Sequence, residues 1–331
     1  MTTLITGAGL IGTLTARHLL EQGAKAVLFD VSPQHDSVAA TLHPLKAPVL
    51  AGDVSSYPAL EAVIQAHGVR GIVHTAAMLT AGIKADPARG MTVNIIGGMN
   101  VLEAARKLGL GRVVIASSST VSYAAFASNP GERYPEDFRM AVLSERPTTF
   151  YSAGKLAQEH LALVHAAEYG TDMVLLRYGA VVGEWAGPNR SIPGRLVRAL
   201  LLPAIQGKTA VIDDPMLVWQ GGDDFVDARD VARANVAALN APAPRQRVYH
   251  VTFGRMHAFA DFVAAVTSLY PGFKTDVRVT AKAGFAGFPK VRPATSDMRA
   301  AEAELGFTPR YDLRAALEEC AKQLAREGVR T

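Results

Sequence analysis

The sequence predicts an α/β protein: a doubly wound parallel sheet followed by a smaller C-terminal lobe. Over the first 180 residues, short apolar segments rich in β-branched residues alternate with longer segments of helical spacing. A glycine-rich turn joins the first predicted strand to the first helix. After Gly183 the alternation ends, and glycine, proline and charged residues cluster in GEWAGPNRSIPGR. Alternating strands and helices are typical of a parallel sheet with helices on both faces.

Each predicted strand is short, apolar and closed by glycine, a carboxylate or small residues. In chain order the strands are TLITGA, AKAVLFDV, APVLAGDV, GIVHTAA, RVVIASSS and DMVLLRYG. The clearest helices between them are GLIGTLTARHLLEQG, EAVIQAHG, GMNVLEAARKLGL and AGKLAQEHLALVHAAEYG. The last helical patterns are MHAFADFVAAVTSLY, SDMRAAEAELG and DLRAALEECAKQLAREG. We therefore expect one domain at residues 1–180, with a return of 224–241 to its sheet, and a discontinuous lobe made mainly of 181–331.

The composition excludes several classes of protein. Hydrophobic residues make up 49% of the 331 residues, which is sufficient for a large core. The 34 basic residues barely outnumber the 30 acidic ones and are scattered, so we expect no nucleic-acid partner. The apolar run LVRALLLPAI contains Arg198 and Pro203 and is too short to span a bilayer, so we expect no membrane partner.

Cysteine and histidine usage points to a reducing compartment and to no metal. Cys320 is the single cysteine, so no disulfide can form within the chain. The nine histidines show no ligand spacing, and we expect no metal site. The first strand follows Met1 without a basic leader, and we expect a cytoplasmic protein.

The turn TGAGLIG carries the first functional motif. Its three glycines have the GxGxxG spacing between a strand and a helix, the context that a dinucleotide-binding turn of a Rossmann-like fold requires. The helix N-terminus that follows offers free N–H groups to phosphates. A glycine-rich turn that binds nothing is the alternative. The residues expected to contact the pyrophosphate are Gly7, Gly9, Leu10, Ile11 and Gly12.

Asp30 strengthens the dinucleotide interpretation. It ends the second strand, where a carboxylate accepts hydrogen bonds from the ribose hydroxyls of NAD. No Arg or Lys follows at 31–34 to receive a 2′-phosphate, so we expect NAD rather than NADP. Two further strand ends are expected to line the cofactor cleft, and they supply Asp53, Val54, Ala76 and Ala77.

Tyr151 and Lys155 lie about one helical turn apart, so they share one face of a helix. A phenol with a pKa near ~10 is a poor base, but a neighbouring ammonium and an oxidised nicotinamide both favour the phenolate. Tyr151 would then take the hydroxyl proton of a substrate while hydride leaves the same carbon for NAD, and Lys155 would hold the nicotinamide ribose. The alternative is an ordinary ion pair between Lys155 and Glu159, four residues further on.

The order of these motifs resembles the extended short-chain dehydrogenase/reductases, the NAD-dependent epimerase/dehydratase group. It runs from the glycine turn through Asp30, HTAA, SSSTV and YSAGK to LRYGAVVG and DFVDARDVARA. The resemblance implies catalytic roles for Ser118, Tyr151 and Lys155, and a stabilising role for Asn94. It also implies that LRYGAVVG lines the cofactor, through Tyr178 and Val181.

Three departures from the family pattern matter. The glycine turn is one residue shorter than GxxGxxG. The strand end reads SSSTVSYA rather than SSxxVYG, which selects Ser118 as the catalytic hydroxyl but leaves Ser119 as a rival. Ser119 and Thr120 stand where the family's dehydratases carry an Asp–Glu pair, so we do not expect a dehydratase.

Three functions remain open. We favour an NAD-dependent dehydrogenase or reductase of a small polar alcohol, a sugar acid or a hydroxy acid, acting as a homodimer. The alternatives are a nucleotide-sugar epimerase and a non-catalytic nucleotide-binding protein. Arg292 resembles a pyrophosphate contact of nucleotide-sugar enzymes, whereas AAMLTAG resembles small-substrate dehydrogenases and no base-stacking pattern is visible. The residues expected at the substrate are Thr80, Ser119, Arg190, Arg195 and Arg292.

Overall fold

A computed structural model describes residues 1–328, and seven of its strands form one parallel sheet. The strands of the structure are, in chain order, β1 (Thr2–Thr6), β2 (Lys25–Asp30), β3 (Val49–Ala51), β4 (Val69–His74), β5 (Val113–Ser118), β6 (Arg133–Tyr134), β7 (Met173–Tyr178), β8 (Ala180–Val182), β9 (Ala210–Ile212), β10 (Asp223–Asp227), β11 (Val248–Val251), β12 (Met256–His257), β13 (Thr275–Val277) and β14 (Thr295–Ser296).

The α-helices are, in the same order, α1 (Leu10–Glu21), α2 (His35–Leu42), α3 (Tyr57–Ala66), α4 (Thr80–Ala85), α5 (Pro87–Met91), α6 (Gly97–Lys107), α7 (Phe150–Tyr169), α8 (Ile192–Ile205), α9 (Ala228–Asn240), α10 (Phe259–Leu269), α11 (Arg299–Leu305) and α12 (Leu313–Gly328). A π-helical turn, Thr92–Ile96, joins α5 to α6, and a 3₁₀ helix, Ser119–Ser128, follows β5. Further 3₁₀ turns span Pro215–Leu217 and Phe285–Gly287.

The main sheet has the order β11-β7-β5-β4-β1-β2-β3 with parallel pairing throughout. The strands β2 and β3 extend the sheet on one side of β1. The chain then crosses to β4 on the other side of β1, where β5, β7 and β11 extend the sheet further. The predicted doubly wound α/β fold is therefore confirmed. In such sheets the ligand crevice lies at the carboxyl ends of the strands where the direction reverses, here between β1 and β4.

Three large apolar clusters form most of the core, beside a small aromatic one around Tyr134. One lies on the sheet face that carries α1 and α9 and includes Leu28, Val231 and Tyr249. A second lies on the opposite face beneath α3 and α6. The third fills the lobe between α8, α10 and α12, where Trp219 packs edge-on against Phe262 and other rings. The lobe thus has its own core beside the two layers of the sheet domain.

Residues 224–241 do not add a strand to the main sheet, contrary to the expectation from the sequence. β10 pairs with β8 and β12 in a separate three-stranded sheet, and only α9 packs on the sheet domain, against α1. The strand that joins the main sheet is β11, beside β7. Gly179 explains the change, because a Cβ there would lie 2.8 Å from the carbonyl oxygen of Asp224. The missing side chain lets β10 approach the chain where β7 ends.

In the part of the chain that the structure describes, no helix has both the length and the apolarity that crossing a bilayer requires. Residues 1–328 likewise bring no three potential ligands among His, Cys, Asp and Glu together around one point.

Candidate active site

The glycine turn after β1 is built by close backbone contacts. Gly7 has a φ of +91°, and a Cβ there would lie 2.7 Å from the Ala76 nitrogen. A Cβ on Gly12 would lie 1.8 Å from the carbonyl oxygen of Gly7. Gly9 is different, because its Cβ would meet nothing within 4 Å. The open space above Gly9, facing the first turn of α1, fits the close approach of a cofactor pyrophosphate.

Asp30 lies at the end of β2 and is half-buried. Its Oδ2 accepts a hydrogen bond from the Ala8 N–H at 2.8 Å, and its Oδ1 accepts one from the Ser32 N–H at 2.9 Å. The carboxylate therefore holds the glycine turn while its charge stays at the edge of the sheet. This placement fits a ribose diol better than a 2′-phosphate, because like charges repel.

Asp53 and Val54 follow β3. The Asp53 carboxylate is bound by Arg89, from α5, and by the Ser55 hydroxyl at 2.7 Å. Val54 is buried and fits against Gly97, where a Cβ would lie 2.7 Å from the valine Cγ2. Sequence reasoning missed Arg89, because no local pattern indicates that α5 reaches back to β3.

Asn94 fixes the chain that leaves β4. Its Oδ1 accepts a hydrogen bond from the Met78 N–H at 2.8 Å, and its Nδ2 donates to the Met78 carbonyl at 3.0 Å. Asn94 is buried at the centre of the π-helical turn, a distortion that occurs often at functional sites. The segment held in this way carries Ala76 and Ala77, both half-buried at the edge of the crevice.

The three serines at the end of β5 have three different partners. Ser117 donates to Glu159. The Ser118 hydroxyl accepts hydrogen bonds from the Thr120 N–H at 3.3 Å and from the Thr120 hydroxyl at 3.0 Å, and its influence on Tyr151 counteracts part of the rise that burial causes in the pKa of that phenol. The Ser119 hydroxyl points elsewhere, toward the Tyr123 hydroxyl at 3.5 Å. Ser118, rather than Ser119, is therefore the serine that acts on Tyr151.

Lys155 is buried beneath the carboxyl end of β5. Its Nζ donates to the Ala116 carbonyl at 2.6 Å and to Gln158 Oε1 at 3.3 Å. Burial lowers the pKa of Lys155 to about 8, and the charge of Glu159 opposes this change. The ordinary ion pair with Glu159 is not observed, because Arg177 binds that carboxylate through two hydrogen bonds at 2.9 and 2.7 Å.

His74 is a buried residue beside Lys155 that the sequence analysis noted only as part of HTAA. Its Nδ1 lies 2.7 Å from the Thr6 hydroxyl, while its Nε2 has no partner within residues 1–328. Burial, together with the charge of Lys155, lowers the pKa of His74 to about 3, so the ring is neutral. The strand pattern around it could have indicated burial but not this proximity.

The two residues expected from LRYGAVVG lie differently. Val181 is half-buried and packs on the core beside α1. Tyr178 is buried, and its hydroxyl donates to Asn235 of α9 at 2.6 Å. The phenolic oxygen is therefore engaged by the core helix, and the contact of Tyr178 with the cofactor stays a prediction.

The five residues expected at the substrate are not brought together as one group. Thr80 is exposed at the start of α4, and Arg190 is exposed in the loop before α8. Arg195 forms an ion pair with Asp214 at the surface of the lobe. Ser119 is buried against Tyr123.

Arg292 departs furthest from the expectation. Its guanidinium is fully buried, with Nη2 2.8 Å from Asp224 Oδ2 and 2.8 Å from the Ser296 hydroxyl. The cost of burying a cation without a counter-ion explains this placement. Arg292 thus has protein partners, and its contact with a substrate stays a prediction.

Comparison with known proteins points to one family. The model of the NAD dependent epimerase/dehydratase family matches residues 3–252. UDP-glucose 4-epimerase of Yersinia pestis is 27% identical over 285 residues, which cover 80% of this chain and 81% of the relative.

Among solved structures, the GalE-like L-threonine dehydrogenase of Cupriavidus necator superposes with a TM-score of 0.80 at 24% identity, covering 98% of this chain and 100% of that one. The UDP-glucose 4-epimerase of Thermotoga maritima gives a TM-score of 0.77 at 23% identity, covering 99% of both chains. These two likenesses concern the fold. The family match covers most of the chain and names the cofactor expected from Asp30, so this protein is an enzyme of the NAD-dependent epimerase/dehydratase family.

Proposed function

We propose that the protein is an oxidoreductase that moves hydride between NAD and a secondary alcohol or ketone carbon of a small polar substrate, a sugar acid or a hydroxy acid. The observation that carries the proposal is the arrangement of Ser118, Tyr151 and the buried Lys155 at the carboxyl edge of the sheet, where Ser118 counteracts the rise that burial causes in the pKa of Tyr151. The open space above Gly9 and the carboxylate of Asp30 fit the dinucleotide.

The side chains divide the acid–base work. Ser118 orients the substrate oxygen, and Tyr151 accepts its hydroxyl proton when the alcohol is oxidised. When bound, NAD would supply the hydride acceptor and the positive charge of its oxidised ring. Burial raises the pKa of Tyr151 in the free enzyme, so the phenolate depends on added positive charge. Lys155 supplies part of this charge below its own pKa of about 8.

The burial of Arg292 supports a small substrate. In the sequence this arginine was the argument for a nucleotide diphosphate, but its charge is balanced by Asp224 inside the protein. The remaining candidate cations, Arg190 and Arg195, are single exposed residues, and Arg195 is already paired. A single exposed arginine suits one carboxylate.

A nucleotide-sugar epimerase remains the second candidate. The 27% identity to a UDP-glucose 4-epimerase over 80% of this chain favours it. The two functions use the same Ser118, Tyr151 and Lys155, but they treat the cofactor differently. A dehydrogenase exchanges its cofactor in every cycle, whereas an epimerase returns the hydride to the substrate and retains the cofactor.

Cofactor retention separates the two candidates. We expect the purified protein to carry little bound NAD and to form NADH with sugar acids or hydroxy acids in a plate that also contains UDP-sugars. Tyr151→Phe, purified in parallel, controls for contaminating dehydrogenases. Stoichiometric bound NAD together with UDP-sugar interconversion, without net NADH, would establish the epimerase instead.

Cofactor choice is tested by calorimetric titration. We expect tighter binding of NAD than of NADP, because Asp30 places a carboxylate at the ribose site. In Asp30→Ser the preference is expected to shrink, while Asp36→Ser, which alters an acid in the first turn of the next helix, is expected to retain it. Tighter NADP binding by the wild type would contradict the assignment.

We also propose a homodimer and a cytoplasmic location. The support for a dimer is a set of apolar side chains exposed on α7 and on the adjacent π-helical turn, Leu161, Val164 and Ile96. Cys320, a free buried thiol, is compatible with a reducing compartment. Light scattering with Val164→Glu as the disrupting variant tests the first proposal, and cell fractionation tests the second.

A further inference from the structure

A buried group of charged and phenolic side chains lies beside the serine segment and takes no part in the steps above. We call it the Asp223 cluster, and it consists of Tyr123, Asp223, Asp224 and Arg292. All four are buried. Tyr123 comes from the 3₁₀ helix after Ser118, and the two aspartates begin β10. Buried charges persist only when they are paired and hydrogen-bonded, so the partners decide how the cluster behaves.

Asp224 is fully satisfied. It accepts hydrogen bonds from the Thr295 hydroxyl at 2.8 Å and from the Ser296 N–H at 2.7 Å, and Arg292 Nη2 lies 2.8 Å from its Oδ2. Arg292 donates in addition to the Ala294 carbonyl and the Ser296 hydroxyl. The guanidinium is therefore committed to Asp224 and its own segment.

The buried charge of Asp223 has fewer partners than that of Asp224. Its Oδ1 accepts hydrogen bonds from the Tyr123 hydroxyl at 2.8 Å and from the Asp224 N–H at 2.7 Å. Arg292 Nη1 is 3.9 Å away and has no hydrogen-bond partner within residues 1–328. Two carboxylates thus share one guanidinium. Burial raises the pKa of Asp223 to about 6, despite the charge of Arg292 and the hydrogen bond from Tyr123.

The other titratable groups around Asp223 carry no charge near neutral pH. His257 lies opposite Asp223 in the β10–β12 pair, and burial lowers its pKa. Tyr134 faces Arg292 from β6, and burial raises its pKa to about 12. The proton on Asp223 is therefore the one that changes between pH 5 and 7 within this cluster.

The cluster is connected to the catalytic serine through Tyr123. When Asp223 is ionised, the Tyr123 hydroxyl donates to it, and the phenolic oxygen is left to accept from Ser119, 3.5 Å away. Ser119 follows Ser118 directly, and the Ser118 hydroxyl, which accepts from the Thr120 hydroxyl at 3.0 Å, influences the pKa of Tyr151. A protonated Asp223 no longer requires a donor, so the phenol of Tyr123 becomes free to turn its proton toward Ser119.

We propose that Asp223 is a positioning residue: through Tyr123 its carboxylate fixes the Ser119 hydroxyl and thereby the direction in which Ser118 faces Tyr151. The effect that the proposal expects on the reaction rate rests on the function proposed above. Its structural part, the link from Asp223 to Tyr151, does not depend on any substrate.

The link is tested by NMR of the NAD-loaded full chain with ¹³Cζ-labelled tyrosine, with signals assigned through Tyr123→Phe and Tyr151→Phe. We expect the Tyr151 signal of the wild type to shift with a midpoint near pH 6. In Asp223→Asn the shift should vanish, and in Tyr123→Phe it should vanish although Asp223 still titrates. Asp276→Asn, at a surface ion pair with Arg278, is the control that leaves it unchanged. A Tyr123 signal that titrates while Tyr151 stays constant would overturn the proposal.

Kinetics supply the second arm once a substrate is known. Asp223→Asn and Tyr123→Phe should each lower kcat about tenfold with KM within about twofold, because a misplaced hydroxyl affects the reacting geometry more than binding. The double variant should be no slower than either single variant, since both break the same link. Unchanged kcat in both variants would overturn the proposal, and absence of any turnover in the wild type would count against the proposed function alone, because the NMR result stands without it.

Discussion

The glycine turn after β1 and the Asp223 cluster are held together in different ways. Around Gly7, Gly9 and Gly12 the structure depends on backbone contacts within and between neighbouring strands. Around Asp223 it depends on side chains far apart in the chain, since Tyr123 and Asp223 are 100 residues apart and Asp224 and Thr295 are 71 apart. Backbone-built sites are visible in short motifs, whereas sites built from distant side chains appear only once the chain is folded.

The largest effect is expected at Tyr151, the residue proposed to move the proton. Tyr151→Phe should lower turnover by ~10²–10⁴-fold, the range that a general acid or base contributes, and leave NAD affinity near that of the wild type. Tyr169→Phe, an exposed tyrosine at the other end of α7, is the matched control. A Tyr151→Phe enzyme with most of its activity would show that another group moves the proton.

Lys155 gives the next largest effect, on stability against pH. Burial lowers its pKa to about 8 in the folded protein, below the unfolded value of ~10.4. The unfolded chain then binds more protons between these values, so the free energy of unfolding should rise with pH from about 8 to 10, by up to ~3 kcal/mol. Lys155→Met should remove this rise, which chemical denaturation at several pH values measures, whereas Lys107→Met on exposed α6 should retain it. If the stability of the wild type does not rise between about pH 8 and 10, the lowered pKa of the buried Lys155 would be contradicted.

Two glycine variants separate packing from cofactor binding. Gly12→Ala forces a Cβ toward the Gly7 carbonyl and should cost about 1–3 kcal/mol of stability in addition to NAD affinity. Gly9→Ala places its Cβ in open space and should lower NAD affinity while the melting temperature stays within error. Calorimetry and thermal unfolding of both variants provide the comparison. Equal NAD affinity in Gly9→Ala and the wild type would show that the cofactor does not approach this backbone.

The smallest effect is expected in the lobe. Arg195→Ala breaks an exposed ion pair with Asp214 and should change stability by less than ~1 kcal/mol. If Arg195 binds a substrate carboxylate, KM rises severalfold while kcat is kept. Arg278→Ala, which breaks a similar exposed pair with Asp276, is the control. A KM unchanged in Arg195→Ala would remove this residue from the substrate site.

The sequence was sufficient for the sheet domain because its information is local. Strand period, turn glycines and the position of Asp30 are set by neighbouring residues, and the doubly wound fold follows from them. The sequence pattern selected Ser118 but left Ser119 as a rival, because the partners of the serines, Glu159, Tyr151 and Tyr123, reach them from other elements.

Two expectations for the lobe met contacts between residues distant in the chain. A sequence does not reveal that Asp224 lies next to Arg292, and the contact of Arg292 with a substrate stays a prediction. The return of 224–241 to the main sheet was expected, but Gly179 admits β10 to a different sheet. Charge pairing and close backbone approach both act between residues that only the fold brings together.

The position of β8 has a mechanical consequence. Gly179 alone separates β7 of the main sheet from β8 of the smaller sheet. The chain returns to the sheet domain where β10 is followed directly by α9. It leaves the main sheet again between β11 and β12. Three short connections therefore join the main sheet to the smaller sheet. We therefore expect small molecules to enter and leave by local rearrangement of loops rather than by wide rotation of the lobe against the sheet domain.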